Sequence, residues 1–545
     1  MTRYLTLLFF LLTIGTQAFG QNYYWIAFSD KNETEYSLSS PGAYLSERAI
    51  QRRTQQNIPI DSLDLPVNKT YIDSVLTLDV TFVHSSKWLN GITVKTEIDS
   101  LDTLLLPWTF IIEVQKTKPA VITKSAADKF AEESFSEADP IDTSLYGASV
   151  HQVGMMEGQF LHNQGYKGEG LQIAVLDGGF ESADTLPALD SLWANNQILG
   201  TRDFVDPQSD FFSTNYHGMS VLSCMGGNYS GKLIGTAPKA SYWLLRAEDD
   251  DTEYIVEEDN WAAAAEFADS VGADIINSSL GYFMFDDPKT DHTYADMDGK
   301  TTRITRAANI AASRGMLVFA SAGNERNDSW FRIIAPSDGT GVIGVGAVDQ
   351  NLVPANFSSA GPAADGAIKP NLAAMGYRSI AQLRNGVIGQ INGTSFSSPI
   401  LAGMAACLWQ RFPEKSALEI KDALEKSGSK YLSPDSLVGY GIPNMRLAAE
   451  ILDPLSANIV ETNKRWKVFP NPVSDFLVLE HSGTIHSSEI QLELYTIDGR
   501  LKKHWLYPAT QRIVLNNWTA MEIGIYVLRI STASGTESVK VNKIR

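Results

Sequence analysis

The sequence predicts an α/β fold in which a parallel sheet carries helices on both faces, preceded by an α+β region and followed by a β-sandwich. From Leu171 onward, short apolar strands alternate with helical stretches that end in glycine, a pattern typical of a parallel sheet covered by helices. Residues 21 to about 115 instead mix strand-like runs with a polar helix. The segment from about Trp466 onward has strands at short spacing, which favours a sandwich of two sheets.

The central sheet is predicted from repeated units of helix, glycine and strand. Residues 261–271 and 304–314 are predicted helices that stop at Gly272 and Gly315 and lead directly into strands. Residues 399–409 are apolar nearly all round, which indicates a helix buried on every side. The predicted strands of this sheet are 171–176, 241–245, 273–276, 316–320 and 342–348.

The two flanking regions are predicted from shorter runs. In the first, residues 43–54 form a polar helix, and residues 116–145 have the composition of a linker. In the last, Asp498 and Gly499 form a hairpin turn. The predicted strands of these regions are 23–27, 80–83, 110–112, 476–479, 490–495, 513–515 and 525–530.

Composition and the N-terminus exclude several classes of function. The 545 residues carry a formal net charge of −19, whereas binding to nucleic acid or anionic lipid requires a basic face. Arg3, an apolar run at residues 7–14 and small residues at Ala18 and Gly20 predict a cleaved secretory signal peptide over residues 1–20. A membrane anchor is the alternative, but this run is too short to span a bilayer, and no later segment is long and apolar enough.

The chain has two cysteines, Cys224 and Cys407, so no disulfide framework holds the fold together. Both lie in segments predicted to be buried helices. We interpret them as core thiols, and one disulfide between them stays an open alternative in an oxidising compartment.

Three polar residues lie where predicted strands and helices meet, the positions from which an α/β sheet presents side chains to a cleft. Asp177 ends a strand, His217 opens a helix, and Ser395 precedes the buried helix. A serine hydroxyl becomes a strong nucleophile when an imidazole takes its proton and a carboxylate holds that imidazole. Asn324 follows another strand and is a candidate donor to the oxyanion of a tetrahedral intermediate, together with the Ser395 N–H.

The motifs around these residues resemble those of the subtilisin-like serine proteases, or subtilases. The order Asp, His, Ser along the chain is also that of subtilisin. The resemblance covers roughly residues 140–452 and implies a subtilisin-like sheet, with Asp177, His217 and Ser395 as the catalytic triad. The matching segments are Val-Leu-Asp-Gly-Gly at 175–179, His-Gly-Met-Ser-Val at 217–221, Asn-Ser-Ser-Leu-Gly at 277–281, Ala-Gly-Asn at 322–324 and Gly-Thr-Ser-Phe-Ser-Ser-Pro at 393–399.

The resemblance further implies that Asn324 donates to the oxyanion and that Ser279, Leu280 and Gly281 pair with the substrate as an added strand. The expected activity is that of a secreted endopeptidase that hydrolyses proteins or peptides through a Ser395 acyl-enzyme. No cofactor is expected for this chemistry. Many subtilases bind structural calcium, but the triad motifs do not fix its ligands, so we assign no metal ligand. A monomer is the default.

The sequence leaves two other classes of function open. One is a surface adhesin or binding module that uses a degenerate protease fold, although the retention of all four site residues argues against it. The other is an esterase or peptide ligase that uses the same acyl-enzyme. Comparing the products formed from peptides and from simple esters separates this second alternative from a protease.

The flanking regions also resemble known domains. Residues 21–138 are similar to a subtilase propeptide with a linker, residues 139–454 correspond to the peptidase domain, and residues 466–545 resemble the sorting domain of the type IX secretion system. These assignments imply export across the outer membrane, to a secreted or cell-surface location, with the secretion machinery as a partner. The alternatives are an α+β accessory domain and an immunoglobulin-like β-sandwich that binds carbohydrate or cell wall. The sorting motifs lie at 468–472, 494–500, 524–528 and 541–544.

Two acidic features have no assigned role. The run from Glu248 to Asp251 is interpreted as a solvated loop, with Ca²⁺ binding or attraction of a basic substrate as the alternatives. Glu325 directly follows Asn324 and is a candidate for the pocket that takes the residue before the scissile bond. In that position its carboxylate would favour a basic side chain.

Overall fold

The computed structural model describes residues 20–121, 129, 145–453, 466–483, 485, 487–496, 500–516, 518–533 and 535–544. Contacts divide the chain into two compact units, Met1–Leu452 and Asp453–Arg545. The predicted signal peptide lies outside the described residues apart from Gly20, as do most of the predicted linker and the Asp498-Gly499 turn. Within the described part of the chain, no helix is both long enough and apolar enough to cross a membrane.

The N-terminal region of the first unit is an antiparallel sheet with helices packed on it. Its elements are β1 (Asn22–Phe28), α1 (Glu47–Gln55), α2 (Lys69–Val75), β2 (Thr81–Ser86), β3 (Gly91–Thr96), α3 (Leu101–Leu105) and β4 (Ile111–Lys118). The sheet order is β2-β3-β1-β4, and its core contains Tyr24, Ile26 and Phe28 from β1. The predicted α+β character of this region is present.

The predicted linker starts later than its composition suggests. Strand β4 continues to Lys118, which pairs with Tyr23 of β1. The prediction that the linker begins at residue 116 is therefore wrong. The physical reason is that β1 supplies the backbone hydrogen-bonding partner, and a contact between residues so far apart leaves no trace in local composition.

The central region contains the predicted parallel sheet and its covering helices. Its elements are α4 (Val150–Gly154), α5 (Gln159–Asn163), β5 (Gln172–Asp177), α6 (Asp190–Ala194), β6 (Ile198–Asp203), α7 (His217–Gly226), β7 (Asn228–Tyr229), β8 (Leu233–Ile234), β9 (Ser241–Arg246), α8 (Val256–Val271), β10 (Ile275–Ser278), α9 (Arg303–Ser313), β11 (Leu317–Ser321), β12 (Val342–Val348), β13 (Leu372–Met375), β14 (Ser379–Gln382), β15 (Ile388–Ile391), α10 (Thr394–Arg411), α11 (Ala417–Lys426) and α12 (Met445–Leu452). The seven strands of the sheet lie in the order β13-β12-β11-β10-β5-β9-β6, and every neighbouring pair is parallel.

Alternate residues of each strand face two separate hydrophobic cores, as the pleat requires. In β5, Ile173 and Val175 belong to the core shared with α7 and α10, whereas Ala174 and Leu176 belong to the core shared with α8 and α9. Helix α10 is buried along nearly its whole length, which confirms the prediction made from its all-round apolar sequence. Helices therefore cover both faces of the sheet, and its strand ends remain available for a site.

The two cysteines lie in the core between the sheet and its helices. Cys224 and Cys407 are both buried and both free, and Sγ of Cys407 lies 3.1 Å from the carbonyl oxygen of Thr236, to which it donates. Burial raises the pKa of Cys224 to about 12, so this thiol stays protonated and packs as a small apolar group. Both residues act as core thiols.

The second unit is a sandwich of two antiparallel sheets. Its strands are β16 (Trp466–Phe469), β17 (Leu477–His481), β18 (Glu489–Thr496), β19 (Leu501–Pro508), β20 (Arg512–Leu515), β21 (Gly524–Thr532) and β22 (Gly535–Lys543). The sheets have the orders β16-β17-β20 and β19-β18-β21-β22, and they share one core that includes Leu479, Leu492 and Leu528. The predicted β-sandwich is confirmed.

Candidate active site

The side chains predicted to take part in chemistry lie at the carboxyl ends of neighbouring strands. Asp177 is the last residue of β5, Ser279 follows β10, and Asn324 lies three residues beyond β11. Strand β10 is adjacent to β5 on one side, while β9 and β6 lie on the other side. The chain therefore reverses its direction across the sheet at β5, and such a switch point opens a crevice at the carboxyl ends of the strands.

Asp177 and His217 form a buried hydrogen-bonded pair. Nδ1 of His217, the first residue of α7, lies 2.7 Å from Oδ1 of Asp177. Asp177 is fully buried and His217 is 6% exposed. The N–H of Gly178 also donates to Oδ1 of Asp177, at 2.8 Å. Because an ionised carboxylate only accepts hydrogen bonds, Nδ1 carries the proton and Nε2 is left as the basic nitrogen.

Gly218 allows this pair to form. Helix α7 begins beside the end of β5, and a Cβ on residue 218 would lie under 3.0 Å from the carbonyl oxygen of Gly179 and from Cβ of Asp177. Any larger residue would push the first turn of α7 away from β5 and separate His217 from Asp177. The glycine that follows His217 in the sequence thus has a steric role at the site.

Ser395 lies in the first turn of α10. Gly393, just before the helix, has a φ of 142°, a conformation that glycine adopts without strain. Oγ of Ser395 lies 3.5 Å from the carbonyl oxygen of Ser279, a distance at which a hydrogen bond is weak. The N–H of Ser395 makes no hydrogen bond to a described residue, as expected in the first turn of a helix. Both groups are therefore available to a ligand.

The carbonyl group of Ser395 is held from outside the helix. Pro399 lacks the N–H that would donate to this carbonyl, four residues earlier, and Oγ of Ser279 donates to it instead, at 2.8 Å. Nδ2 of Asn277 donates to Oγ of Ser279 at 3.3 Å, and Oγ of Ser398 donates to Oδ1 of Asn277 at 2.8 Å. The start of α10 is thus tied to the segment after β10. Sequence reasoning included Asn277 and Ser398 in motifs but gave them no role.

Asn324 has an orientation fixed by Thr394. Oδ1 of Asn324 accepts hydrogen bonds from the N–H and from Oγ1 of Thr394, at 2.9 and 3.0 Å. The N–H of Gly323 in turn donates to Oγ1 of Thr394, at 3.2 Å. With Oδ1 occupied in this way, Nδ2 is the group of the amide that is left to donate to a ligand. Sequence reasoning missed the role of Thr394, whose signal was its place directly before Ser395.

One cavity of about 450 Å³ brings these groups together. It is lined by His217, Ser395 and Asn324 and by the predicted substrate-binding residues Ser279, Leu280 and Gly281. Among the described residues, the peptide groups of Leu280 and Gly281 form no backbone hydrogen bond. Because their donors and acceptors are unpaired, an extended peptide can add to this segment as a strand. Asp177 lies behind His217 and outside the lining.

Glu325 also lines this cavity. Burial, with the neighbouring charge of Asp328, raises the pKa of its carboxyl to about 7. The carboxyl is therefore only partly ionised near neutral pH, which weakens the expectation that it attracts a basic side chain strongly.

The arrangement is that of a serine hydrolase site at a switch point of an α/β sheet. It combines a serine at a helix N-terminus, an imidazole oriented by a buried carboxylate, and a fixed amide donor. Residues 168–441 match the model of the Subtilase family, and the chain belongs to this family. Residues 23–132 match the Peptidase S8 propeptide domain of Bacteroidota. Residues 467–543 match the Secretion system C-terminal sorting domain.

Curated relatives agree with this family. Subtilisin E of Bacillus subtilis (strain 168) is 29% identical over 326 residues, which cover 58% of this chain and 75% of the relative. A subtilisin of Bacillus pumilus is 28% identical over 299 residues, covering 53% and 94% of the two chains. Subtilisin BL of Lederbergia lenta is 29% identical over 288 residues, covering 53% and 93%.

The protein is therefore a serine-type endopeptidase with an N-terminal propeptide and a C-terminal sorting domain. The sorting domain indicates export across the outer membrane to a secreted or surface location. The interpretations of the first region as a propeptide and of the last as a sorting domain are confirmed. The alternatives of an accessory domain and a carbohydrate-binding appendage are set aside.

Proposed function

We propose that the chain hydrolyses internal peptide bonds through an acyl-enzyme on Ser395, with Asp177 and His217 as the other members of the triad. Nε2 of His217 takes the proton of the Ser395 hydroxyl while Oγ attacks the substrate carbonyl. The resulting imidazolium then gives this proton to the leaving amine. Asp177 stays ionised, holds the ring in the required tautomer and stabilises its positive charge. A water molecule, activated by the same nitrogen, releases the acyl group.

The observation that supports this function most directly is the buried contact of 2.7 Å between Nδ1 of His217 and Oδ1 of Asp177. It assigns the proton to Nδ1 and makes Nε2, the nitrogen on the opposite side of the ring, the base. His217 lines the same cavity as Ser395. A histidine with only a packing role would not be expected both to pair with a buried carboxylate and to line the cavity that contains Ser395.

The oxyanion is stabilised by Nδ2 of Asn324 and the N–H of Ser395. The two bonds from Thr394 to Oδ1 of Asn324 support this role, because they fix the amide before the substrate arrives. Fixed donors cost no reorganisation at the moment when negative charge develops. The N-terminus of α10, with its partial positive charge, favours the same oxyanion.

The proposed organisation of the chain has four parts. Residues 1–20 form the signal peptide, residues 21–138 the propeptide and linker, residues 139–454 the peptidase domain and residues 466–545 the sorting domain. The partners are protein or peptide substrates and the type IX secretion machinery. The mature peptidase works as a monomer and uses no cofactor in its chemistry.

A fluorophosphonate probe tests this function, because it reacts covalently with an activated serine. The wild-type chain should be labelled and should lose about its first 138 residues on incubation, as seen by intact mass. Ser395→Ala should show neither change, whereas Ser313→Ala, which alters an exposed serine on α9, should behave as the wild type. If the wild type stays unlabelled even after its N-terminal region is removed, the triad is not assembled and a binding module becomes the better description.

A further inference from the structure

Three glutamates meet beside the active-site cavity. Glu248 follows β9, Glu253 precedes α8, and Glu257 lies in the first turn of α8. Their carboxylate oxygens all lie within 4.8 Å of one another, and Glu248 and Glu253 line the cavity that Ser395 also lines. We call these three residues the acidic pocket. Its position links it to substrate binding rather than to the outer surface.

The acidic pocket corrects one interpretation made from the sequence. Glu248 was interpreted as part of a solvated acidic loop, yet it is only 4% exposed, and Glu257 is fully buried. The hydroxyl of Tyr282 donates a hydrogen bond to Glu248. The interpretation is wrong for Glu248, because the chain that follows β9 turns inward beside α8 and carries this side chain with it.

An ammonium group from the N-terminal part of the chain occupies the acidic pocket. Nζ of Lys129 lies 3.0 Å from Glu248, 2.7 Å from Glu253 and 2.9 Å from Glu257. It also donates to the carbonyl oxygen of Asp249 at 2.9 Å. Lys129 belongs to the segment matched as propeptide, which ends at residue 132. The pocket thus holds a basic side chain that processing takes away.

Electrostatics explain why this pocket requires a cation. Burial and then the charge of Glu248 raise the pKa of Glu253 to about 8, and burial raises the pKa of Glu257 well above its usual range. Burial alone would lower the pKa of Lys129, but the charges of the three glutamates raise it well above its ordinary value. Without an ammonium or guanidinium group, like charges removed from water cost considerable free energy, so carboxyl groups of the pocket would take up protons instead.

The position of the pocket along the cleft follows from the segment after β10. Oγ of Ser279 donates to the carbonyl oxygen of Ser395, and three residues later Tyr282 donates to Glu248. An extended chain advances about 3.3 Å per residue, so a peptide paired with Leu280 and Gly281 reaches the pocket about three residues from the scissile bond. Lys129 lies nine residues before the proposed end of the propeptide and linker at residue 138, so it shows which charge the pocket takes, whereas the distance from the scissile bond comes from the segment after β10.

We propose that the acidic pocket is a specificity site that binds a lysine or arginine side chain of the substrate, about three residues to the N-terminal side of the scissile bond, and that Lys129 fills it before processing. This inference rests on the proposed function of Ser395. It names the substrate class as peptides with a basic residue at that distance. Glu325 is the candidate for the pocket that takes the residue directly before the scissile bond, so the two sites can be tested separately with peptides that carry the basic residue at different positions.

Peptide substrates test the proposal without any change to the protein. A series of fluorogenic peptides carries one lysine at each of the five positions before the scissile bond, and each peptide has a partner with norleucine, which keeps the carbon chain but lacks the ammonium. Active enzyme, processed from the full chain, is counted by fluorophosphonate labelling. Lysine three or four residues before the bond should raise kcat/KM about 10- to 100-fold over norleucine, the effect of one or two charge-assisted hydrogen bonds.

Variants assign the effect to the pocket. Glu253→Gln and Glu257→Gln should each reduce the ratio of kcat/KM for the lysine peptide to that for the norleucine peptide to about 3 or less. Glu169→Gln, at a surface position whose side chain is 67% exposed, is the matched control and should keep the full preference. If both pocket variants fail to fold, the comparison of lysine with norleucine in the wild type still decides the matter.

Three results would overturn the proposal. The first is hydrolysis of lysine and norleucine peptides at equal rates at all five positions. The second is a preference confined to the residue directly before the bond, which assigns it to Glu325. The third is a calcium-dependent rise in melting temperature that Glu257→Gln abolishes, together with loss of the lysine preference when calcium is added. Absence of both labelling and hydrolysis would instead contradict the proposed function of Ser395.

Discussion

At the scale of single residues, the site depends on groups that orient other groups. Thr394 holds Oδ1 of Asn324, and Ser279 takes over the carbonyl of Ser395 that Pro399 cannot reach. Each of these bonds fixes a reacting group from behind. A substitution at the site can therefore act in two ways. It can remove a reacting group, or it can remove a neighbour that holds a reacting group in position.

Replacing Asn324 by leucine removes the amide donor and keeps the volume of the side chain. We expect kcat to fall about 10²–10³-fold with little change in KM, a magnitude that is carried over from subtilisin, the relative on which it is known. Steady-state kinetics on a peptide substrate, with the active fraction counted by fluorophosphonate labelling, measure this effect. An unchanged kcat would show that another group stabilises the oxyanion.

Replacing Gly218 by alanine tests the close approach of α7 to β5. The added Cβ lies under 3.0 Å from the carbonyl oxygen of Gly179 and from Asp177, so we expect a loss of about 1–3 kcal/mol in the free energy of unfolding. Labelling at Ser395 should slow as well, because His217 moves. Gly42→Ala, with nothing within 4 Å of its new Cβ, should change neither quantity.

At the scale of elements, α8 is a helix with an acidic interior surface. Glu257, Glu258 and Asp259 lie in its first turn, where the helix dipole favours negative charge. Arg303 lies 2.5 Å from Asp259, and His292 lies 2.5 Å from Glu258. The helix starts at Val256, five residues before its predicted start at residue 261. In sequence, the acidic residues of this first turn resemble a polar loop. In the structure, Arg303 and His292 pair with two of them, so the turn can be helical and buried.

The last turn of α8 joins the peptidase region to the propeptide. Asp269 is fully buried between Arg52, Arg53 and Lys87, whose positive charges outweigh burial and lower its pKa to about 2. These three cations all come from the N-terminal region. Asp269 is thus a carboxylate shared by three buried basic groups across this contact.

Substituting Asp269 by asparagine removes the carboxylate that these cations share and leaves Arg53 with Asp64 as its remaining ion-pair partner among the described residues. In the Ser395→Ala background, which prevents processing, we expect the free energy of unfolding of the first unit to fall by about 3–5 kcal/mol. Urea denaturation followed by fluorescence measures the loss. Asp73→Asn breaks the exposed pair with Lys69, whose side chains are 63% and 55% exposed, and should cost no more than about 1 kcal/mol.

The same interface should weaken in acid through His84 of β2. Burial, and then repulsion from Arg202, lower the pKa of His84 from 6.5 to about 4, against the effect of its bond to Asn260. Its contribution to stability is present above pH 6.5 and is lost as pH falls through about 4. Glu266, whose pKa burial raises from 4.5 to about 6, contributes in the opposite sense, and its stabilisation is lost as pH rises through 6.

Urea midpoints between pH 7 and pH 4 measure this dependence. In the Ser395→Ala background, His84→Gln should flatten the loss of stability over that interval, because the group that must take up a proton on unfolding is gone. His151→Gln changes an exposed histidine and should keep the slope of the parent. Equal slopes for all three chains would mean that the pKa of His84 is the same in the folded and unfolded chains.

At the scale of the whole molecule, the contacts separate the sorting domain from the rest of the chain. The first compact unit ends at Leu452 and the second begins at Asp453, and the second has a complete hydrophobic core of its own. Each unit therefore contains the buried apolar surface that its own stability requires.

A chain that ends at residue 453 should keep its peptidase function and lose its route out of the cell. We expect the rate of labelling at Ser395 and the melting temperature of the first unit to match those of the full chain. In a host with the type IX machinery, the full chain should appear outside the outer membrane and the shortened chain should stay inside. Exported short chains would assign the sorting signal to another region.

Much of the fold and of the site could be predicted because the signals are local. The strand over residues 342–348 matches β12 at both ends, since an apolar run between Gly341 and Asp349 can be recognised without a distant partner. Strands β6 and β19 were missed, because their exposed residues break the apolar pattern. Their assignment depends on the neighbouring strands that pair with them.

The sequence by itself determined the class of fold, the order of the regions and the chemical identity of the groups at the site, because short motifs and local periodicity are enough to predict each of them. Only the tertiary structure decided that Thr394 orients Asn324, that Asp269 pairs with three cations of the propeptide, and that Lys129 fills the acidic pocket. These contacts join residues far apart in the chain. Their energy comes from burial and charge compensation in three dimensions, which no local pattern of residues records.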